Sequence, residues 1–147
     1  MGFLKSMLGL NSSSHEKLLL QDDQLGTFTA LNNDGTRIIW RGITEVFDEK
    51  VSLFINGDKK HLDNSGKASI QNILRNEKII ASEIERSLKD QYKDADKEYL
   101  NWKTHFNCIS ISATGNGVSI TMEEKDSYHN FNIQFADNKA IDVTIDT

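Results

Sequence analysis

Residues 118–122 read Val-Ser-Ile-Thr-Met, a strict alternation of apolar and polar side chains. Successive side chains of a β-strand point to opposite faces of the sheet, so this period indicates a strand with one face in a core and the other in water. The same alternation recurs at residues 109–113, 131–135 and 141–145. The last third of the chain therefore predicts four antiparallel strands that share one wet face.

Turn-forming residues separate these predicted strands. Gly115-Asn116-Gly117 and Asp137-Asn138 suit the positive φ angles of tight hairpin turns. The predicted wet face is rich in hydroxyl and amide side chains. Its members are Ser110, Ser112, Ser119, Thr121, Asn132, Gln134, Asp142 and Thr144.

The hydrophobic period changes in the middle of the chain, from about Ser65 to Tyr92. Apolar side chains recur there at steps of three and four residues, which is typical of one amphipathic helix. They are Ile70, Ile73, Leu74, Ile80, Ala81, Ile84, Leu88 and Tyr92. A second short helical piece, from Asp94 to Trp102, is predicted to continue or kink this helix, with Tyr99, Leu100 and Trp102 facing inward.

Three further strands are predicted before the helix, at residues 26–31, 36–43 and 50–55, with Asp34-Gly35 as a hairpin turn. The predicted fold class is therefore α+β. An N-terminal meander of three strands and a C-terminal set of four strands form antiparallel hairpins packed on one long central amphipathic helix. Residues 25–147 are predicted to form a single domain, and residues 1–24 a short helix and a linker.

Composition bounds the class of protein. The chain has 147 residues, of which 37% are hydrophobic and 27% charged, enough for one packed core. Its single cysteine, Cys108, cannot form an internal disulfide, which favours a reducing, cytoplasmic location. No stretch approaches 18 consecutive apolar residues, so no membrane span is predicted. Gly2 and Ser6 also fit a loose N-myristoylation pattern, the alternative to a short helix at residues 3–8.

The net charge of −5 is concentrated in the last third of the chain. Residues 104–147 carry two basic residues against six acidic ones, so they hold four of the five excess negative charges. The chain has no stripe of Lys and Arg with interleaved aromatic residues, which disfavours nucleic-acid binding. An acidic, rigidly presented sheet face is suited instead to docking against a basic protein surface.

No residue pattern predicts a catalytic centre, a metal site or a cofactor. His105 and Cys108 form a His-x-x-Cys pair, but a zinc site needs two more ligands at suitable spacing, and His105 lies on the wrong strand parity to activate the thiol. The acidic run at residues 123–126 lacks the spacing of a calcium loop. Gly115-Asn116-Gly117 is not followed by the Lys-Ser/Thr of a phosphate loop.

Three stretches carry a family resemblance. They are residues 25–28 (Leu-Gly-Thr-Phe), the helix around residues 70–92, and residues 128–133 (Tyr-His-Asn-Phe-Asn-Ile) followed by residues 140–143 (Ala-Ile-Asp-Val). In this pattern, over about residues 25–145, the chain resembles a bacterial domain family of unknown function. It departs from the family's His-x-Ile element because His129 and Ile133 are further apart. The resemblance implies a role of the kind played by small immunity proteins of polymorphic toxin systems, and it carries over no catalytic residue.

The leading hypothesis is a non-catalytic binding protein, a cytoplasmic bacterial immunity protein that neutralises a cognate basic toxin domain. Its predicted contact residues are Glu123, Glu124, Asp126, Asp137 and Asp142. The alternative is a small-ligand-binding protein or an enzyme that uses a cleft between helix and sheet, with His105 or His129 as the titrating group. Homodimerisation by strand pairing also stays open.

Overall fold

The computed structural model describes residues 18–32, 35–115 and 117–147. The strands are β1 (Leu19–Asp22), β2 (Gly26–Ala30), β3 (Ile38–Val46), β4 (Glu49–Gly57), β5 (Phe106–Gly115), β6 (Gly117–Glu124), β7 (Asn130–Ala136) and β8 (Lys139–Asp146). The helices are α1 (Asn64–Arg75), α2 (Glu77–Asp94) and α3 (Trp102–His105).

All eight strands belong to one sheet, in which they follow one another in chain order. Neighbouring strands are antiparallel except for β4 and β5, which pair in parallel from Ser52 opposite Ser110 to Ile55 opposite Ala113. Parallel neighbours cannot be joined by a tight turn, so the chain must cross over between them. The three helices form this crossover and bring the two halves of the sheet together.

The prediction of three strands and four strands on one long central helix is wrong. The structure has a continuous mixed sheet, and an additional strand, β1, pairs with β2 from Leu19 opposite Thr29 to Asp22 opposite Gly26. Side-chain alternation identifies a strand but not its neighbour, so it did not indicate the parallel pairing of β4 with β5. Strand β1 also lies within the segment that was interpreted as a linker.

The predicted long helix is divided at Asn76. The backbone of Asn76 has φ −116° and ψ 38°, which ends α1 and begins α2. Its side chain donates hydrogen bonds to the carbonyl and side-chain oxygens of Asn72, at 2.8 and 3.0 Å. Asparagine side chains compete in this way with backbone hydrogen bonds. The apolar stripe continues from Ile73 to Ile80 across the break, so the period did not reveal it.

The helices cover one face of the sheet, where the core lies. Side chains from α1, α2 and the strands are fully buried between the two layers, among them Ile70, Ile84, Leu88, Ile111 and Ile120. Gly66 allows α1 to approach the sheet closely. A Cβ atom at this position would lie 3.0 Å from Ile55 Cγ2 and 3.2 Å from the Ala113 carbonyl oxygen.

The predicted alternation is confirmed in β6 and β7, whose residues are buried at every second position. The predicted helical piece from Asp94 to Trp102 is wrong. The segment after α2 is irregular up to α3, and Leu100 is 67% exposed. Trp102 is buried and Tyr99 packs against the core, so the inward direction of these two side chains is confirmed. The predicted N-terminal helix, the myristoylation pattern, residues 33–34 and Asn116 lie outside the described residues. Within the described part of the chain, no helix is both long and apolar enough to cross a membrane.

Candidate binding surface

The sheet face opposite the helices, which we call the open face, is left uncovered by the described elements. In β5 to β8 its side chains are mostly polar, and we call this part the polar half. They include Ser110, Ser112, Ser119, Thr121, Glu123, Asn130, Asn132, Gln134, Asp142, Thr144 and Asp146. Eleven hydroxyl, amide and carboxylate groups on four paired strands form a rigid polar surface.

Three carboxylates are fixed on the polar half by strand register. Glu123 on β6 lies opposite Asn130 on β7, which lies opposite Asp146 on β8. Two strand spacings therefore separate Glu123 from Asp146, about 10 Å. Asp142 lies four residues before Asp146 on β8, about 13 Å along the strand. The Asn132 amide donates a 2.8 Å hydrogen bond to Asp146, which restricts that carboxylate.

Two further predicted contact residues lie in turns at opposite ends of the strands. Asp126 lies in the turn between β6 and β7, near Glu123, and Asp137 lies in the turn between β7 and β8. Both are exposed. Among the described residues, neither they nor Glu123 and Asp142 take part in an ion pair. The register places Lys139, opposite Ala136, on the same side of β8, but among the described residues it forms no ion pair with any of these carboxylates.

Glu124 is placed differently from the other four predicted contact residues, because its side chain turns to the helix side of the sheet. It is only 4% exposed and accepts hydrogen bonds from the hydroxyl groups of Tyr92 and Ser127 and from the Lys97 ammonium group. Burial raises its pKa, but the hydrogen bonds from Ser127, Tyr92 and Lys97 outweigh this effect and hold the pKa below its usual value. Glu124 therefore lies in the interior and is not part of the open face.

Asp146 is a surface carboxylate that the sequence interpretation missed. Its signal was present, because Asp142, Thr144 and Asp146 share one parity along β8.

The strands before the crossover carry different side chains on the open face. Ile39 and Ile43 on β3 are 38% and 56% exposed there, on either side of the exposed Arg41, and Leu31 beside Ile39 is 56% exposed. We call these three residues the apolar patch. It was missed because the sequence interpretation assigned no sheet face to the side chains of the first strands.

The geometry around Cys108 does not favour nucleophilic chemistry. Cys108 is 2% exposed, and burial together with the nearby Glu49 carboxylate raises the pKa of its thiol to about 12. The His105 side chain accepts a 3.1 Å hydrogen bond from the Leu100 backbone N–H and stacks on Tyr99. It therefore serves the segment after α2 rather than the thiol.

Most of the interface between helices and sheet is a packed core, because the facing side chains are fully buried. At its edge, a depression of about 360 Å³ lies between α1 and the sheet, and Asn72, Ile73, Phe135 and Asn138 are among its lining residues. A surface depression of about 530 Å³ lies along α2 and is lined by Ala81, Ser82, Glu85, Arg86, Lys89 and Trp102. His129, the second titrating group considered, lies at the end of the β6–β7 turn, and its backbone carbonyl accepts from the Glu124 N–H. Among the described residues, no three His, Cys, Asp or Glu side chains gather into a metal-binding group.

The chain matches no protein-family model, no curated protein and no solved structure. Its function is therefore inferred from its own residues, above all from the carboxylates of the polar half.

Proposed function

We propose that this protein binds another protein without catalysing a reaction, and that the polar half of its open face docks against a basic surface of that partner. In the more specific form of this proposal, the protein is a bacterial immunity protein that occludes the active site of a toxin. The observation that supports it is the arrangement of Glu123, Asp142 and Asp146 on one rigid face, where none of the three forms an ion pair with a described residue.

The negative charge of these carboxylates affects both the rate of association and the choice of partner. Carboxylates that lack a local counter-ion produce a negative potential that extends about 8 Å into solvent at physiological ionic strength. Such a field raises the rate at which an oppositely charged partner associates, and it excludes acidic partners. The paired strands hold the charges in fixed positions, so little side-chain ordering is needed on binding.

The apolar patch adds contact area of another kind. Leu31, Ile39 and Ile43 lie on the same open face as the carboxylates, although on the other side of the β4–β5 junction. Protein interfaces combine apolar contact with polar and charged groups, and exposed apolar side chains that are grouped together commonly mark such interfaces. A partner that spans both halves of the open face would contact both kinds of surface.

The experiment is a pull-down from the native host with the tagged chain, at low and at high salt, followed by mass spectrometry. It compares the wild type with a face variant that carries Glu123→Gln, Asp126→Asn, Asp142→Asn and Asp146→Asn. The matched control carries four equally neutralising changes at exposed positions far from the open face. These are Asp90→Asn, Asp94→Asn, Asp96→Asn and Glu98→Gln.

We expect a basic protein to co-elute in stoichiometric amount with the wild type and the control, and to be lost from the face variant and at high salt. Retention of the same protein by the face variant would contradict the proposed surface. The immunity role has its own readout, the growth of cells that produce the co-eluting protein. Growth should stop without this chain and resume with the wild type, but not with the face variant; unimpaired growth without this chain would contradict the immunity role.

A further inference from the structure

Strand β8 forms one edge of the sheet, and the described residues leave most of that edge open. Only its beginning is covered. The Ala140 N–H donates a 2.9 Å hydrogen bond to Glu83 on α2, and the Ala140 carbonyl accepts a 3.3 Å hydrogen bond from Arg86. These contacts show that the backbone groups of Ala140 point away from β7. They also show that side chains of α2 supply hydrogen-bond partners for the outward backbone groups at the start of this edge.

The residues after Ala140 present further outward backbone groups. In an antiparallel pair of strands, opposite residues alternate between those that exchange backbone hydrogen bonds and those whose backbone groups point away from each other. The register shifts by one residue between two neighbouring pairs, Phe135 opposite Ala140 and Gln134 opposite Asp142, so β8 has one extra residue there. Counting through this bulge, the N–H and C=O groups of Val143 and Ile145 point outward as those of Ala140 do. No described element bonds to them, and Ile145 is 43% exposed.

The opposite edge of the sheet differs. Strand β1 has only four residues, and its last one, Asp22, is engaged by Lys67 at 2.9 Å and by two backbone N–H groups of the following turn. Short edge strands are one way in which proteins prevent pairing with another chain. Strand β8 has eight residues, so it is the edge that offers room for an added strand.

The charges on β8 determine which kind of strand fits there. Asp142 and Asp146 project to the open face, while Val143 and Ile145 project to the helix side. A second copy of β8 paired antiparallel about Thr144 would place Asp142 opposite Asp146 of the other copy, and like charges directly opposite one another destabilise a sheet. A strand that alternates basic and apolar residues would instead satisfy both faces.

We propose that the β8 edge binds an extended segment of the protein partner as a ninth strand, with basic side chains beside Asp142 and Asp146 and apolar side chains beside Val143 and Ile145. This inference rests on the proposed function and specifies how the partner is held. Main-chain hydrogen bonds supply the affinity in strand addition, and the alternating side chains supply the selectivity.

The first test uses the full ¹⁵N-labelled chain and a defined probe, a blocked seven-residue peptide of alternating Lys and Val. A peptide of alternating Glu and Val is the control. We expect amide hydrogen exchange at Val143 and Ile145 to slow by about tenfold with saturating Lys-Val peptide, because outward N–H groups become hydrogen bonded. The Glu-Val peptide should leave the exchange rates of these two amides unchanged. Neither peptide should change the exchange rates of the β1 amides.

The second test removes one outward donor. Proline is tolerated in an edge strand where its nitrogen faces away from the sheet, so Val143→Pro deletes the outward N–H and leaves the pairing with β7. Val143→Ala is the matched control, since it loses the side chain but keeps the N–H. We expect Val143→Pro to weaken Lys-Val peptide binding by about tenfold relative to Val143→Ala. Ile145→Pro with Ile145→Ala repeats the comparison if Val143→Pro lowers the exchange protection of β6 and β7.

Three results would overturn the inference. They are equal protection by both peptides, equal peptide affinity of the Pro and Ala variants, and protection of Val143 that appears without peptide and rises with protein concentration. The last result would identify a second copy as the occupant. Failure of the edge is distinguishable from failure of the proposed function. A natural partner that is lost by the face variant but retained by Val143→Pro would leave the open face as the site and exclude the edge.

Discussion

The Tyr92 hydroxyl donates a hydrogen bond to the buried carboxylate of Glu124, and this bond joins helix α2 to the end of strand β6. The same carboxylate accepts from Ser127 at 2.6 Å and from Lys97 at 3.2 Å, which adds the β6–β7 turn and the segment after α2. One side chain thus connects four parts of the chain. Its neighbour Glu123 lies on the opposite face of the sheet, where it is available to a partner.

Replacing Glu124 should test this structural role. We expect Glu124→Ala to lower the free energy of unfolding by about 2–4 kcal/mol, because Tyr92, Ser127 and Lys97 lose their shared acceptor in a buried site. Urea unfolding measures this change in the free energy of unfolding. The control is Glu123→Ala, which should change stability by less than about 0.5 kcal/mol. Similar losses in the two variants would contradict the assignment of Glu124 to the interior and Glu123 to the surface.

The pH dependence of stability should carry the signature of Glu124. Its pKa in the folded protein lies below the ordinary value of 4.5, so the unfolded chain takes up the proton first as the pH falls. The stabilisation is therefore complete above pH 4.5 and is lost as the pH falls through the lower folded value. We expect the stability difference between wild type and Glu124→Gln to shrink below pH 4.5. A difference that stays constant from pH 7 to pH 3 would argue against an ionised Glu124.

Glu49 should behave in the opposite way. Burial raises the pKa of its carboxyl above 4.5, although the Cys108 N–H and the positive charges of Lys103 and Lys125 act against this. The folded protein therefore holds this proton more tightly than the unfolded chain, and ionised Glu49 costs stability at neutral pH. We expect Glu49→Gln to be more stable than wild type at pH 7, with the gain disappearing as the pH falls through the raised folded pKa towards 4.5. A loss of stability at pH 7 would refute this.

The sequence predicted the local structure of the last third well, because its apolar residues alternate with polar ones in strands that have one wet face. The period of two in β6 and β7 appears directly in their burial. The polar half, with Asp142, followed from the same parity, whereas Glu123 was selected as part of the acidic run at residues 123–126. Glu124 was misassigned to the surface because it was grouped with its acidic neighbours, whereas its position along β6 places it on the core side.

What the sequence did not predict depends on contacts between distant residues. The parallel pairing of Ser52 with Ser110 joins segments on either side of three helices, and no local pattern indicates it. Strand β1 was missed because Leu19 and Leu20 form an edge without a clear alternation of apolar and polar residues. The break at Asn76 left the apolar period intact on both sides. The period of apolar residues along the chain identifies helices and strands, whereas packing between distant segments determines which strands become neighbours.

The end of β4 provides a test of the fold away from the open face. A Cβ atom on Gly57 would lie 2.2 Å from the His61 carbonyl oxygen and 3.0 Å from Trp40 Cδ1. Backbone cannot yield as a flexible side chain can, so we expect Gly57→Ala to cost about 1–3 kcal/mol of unfolding free energy. Gly115→Ala is the control, because its Cβ would meet no atom within 4 Å. Thermal unfolding of both variants measures the difference, and equal midpoints would be inconsistent with this close approach.

The polar half of the open face is best tested by the association rate of the co-eluting partner as a function of ionic strength, measured by stopped flow. The wild type and the variant neutralised at Asp90, Asp94, Asp96 and Glu98 should associate rapidly, and their rates should fall steeply as salt is added. The variant neutralised at Glu123, Asp126, Asp142 and Asp146 should associate about tenfold more slowly at low salt, with a much weaker salt dependence. If both variants instead slow by the same amount, only the net charge of the protein matters, and the polar half is not the docking surface.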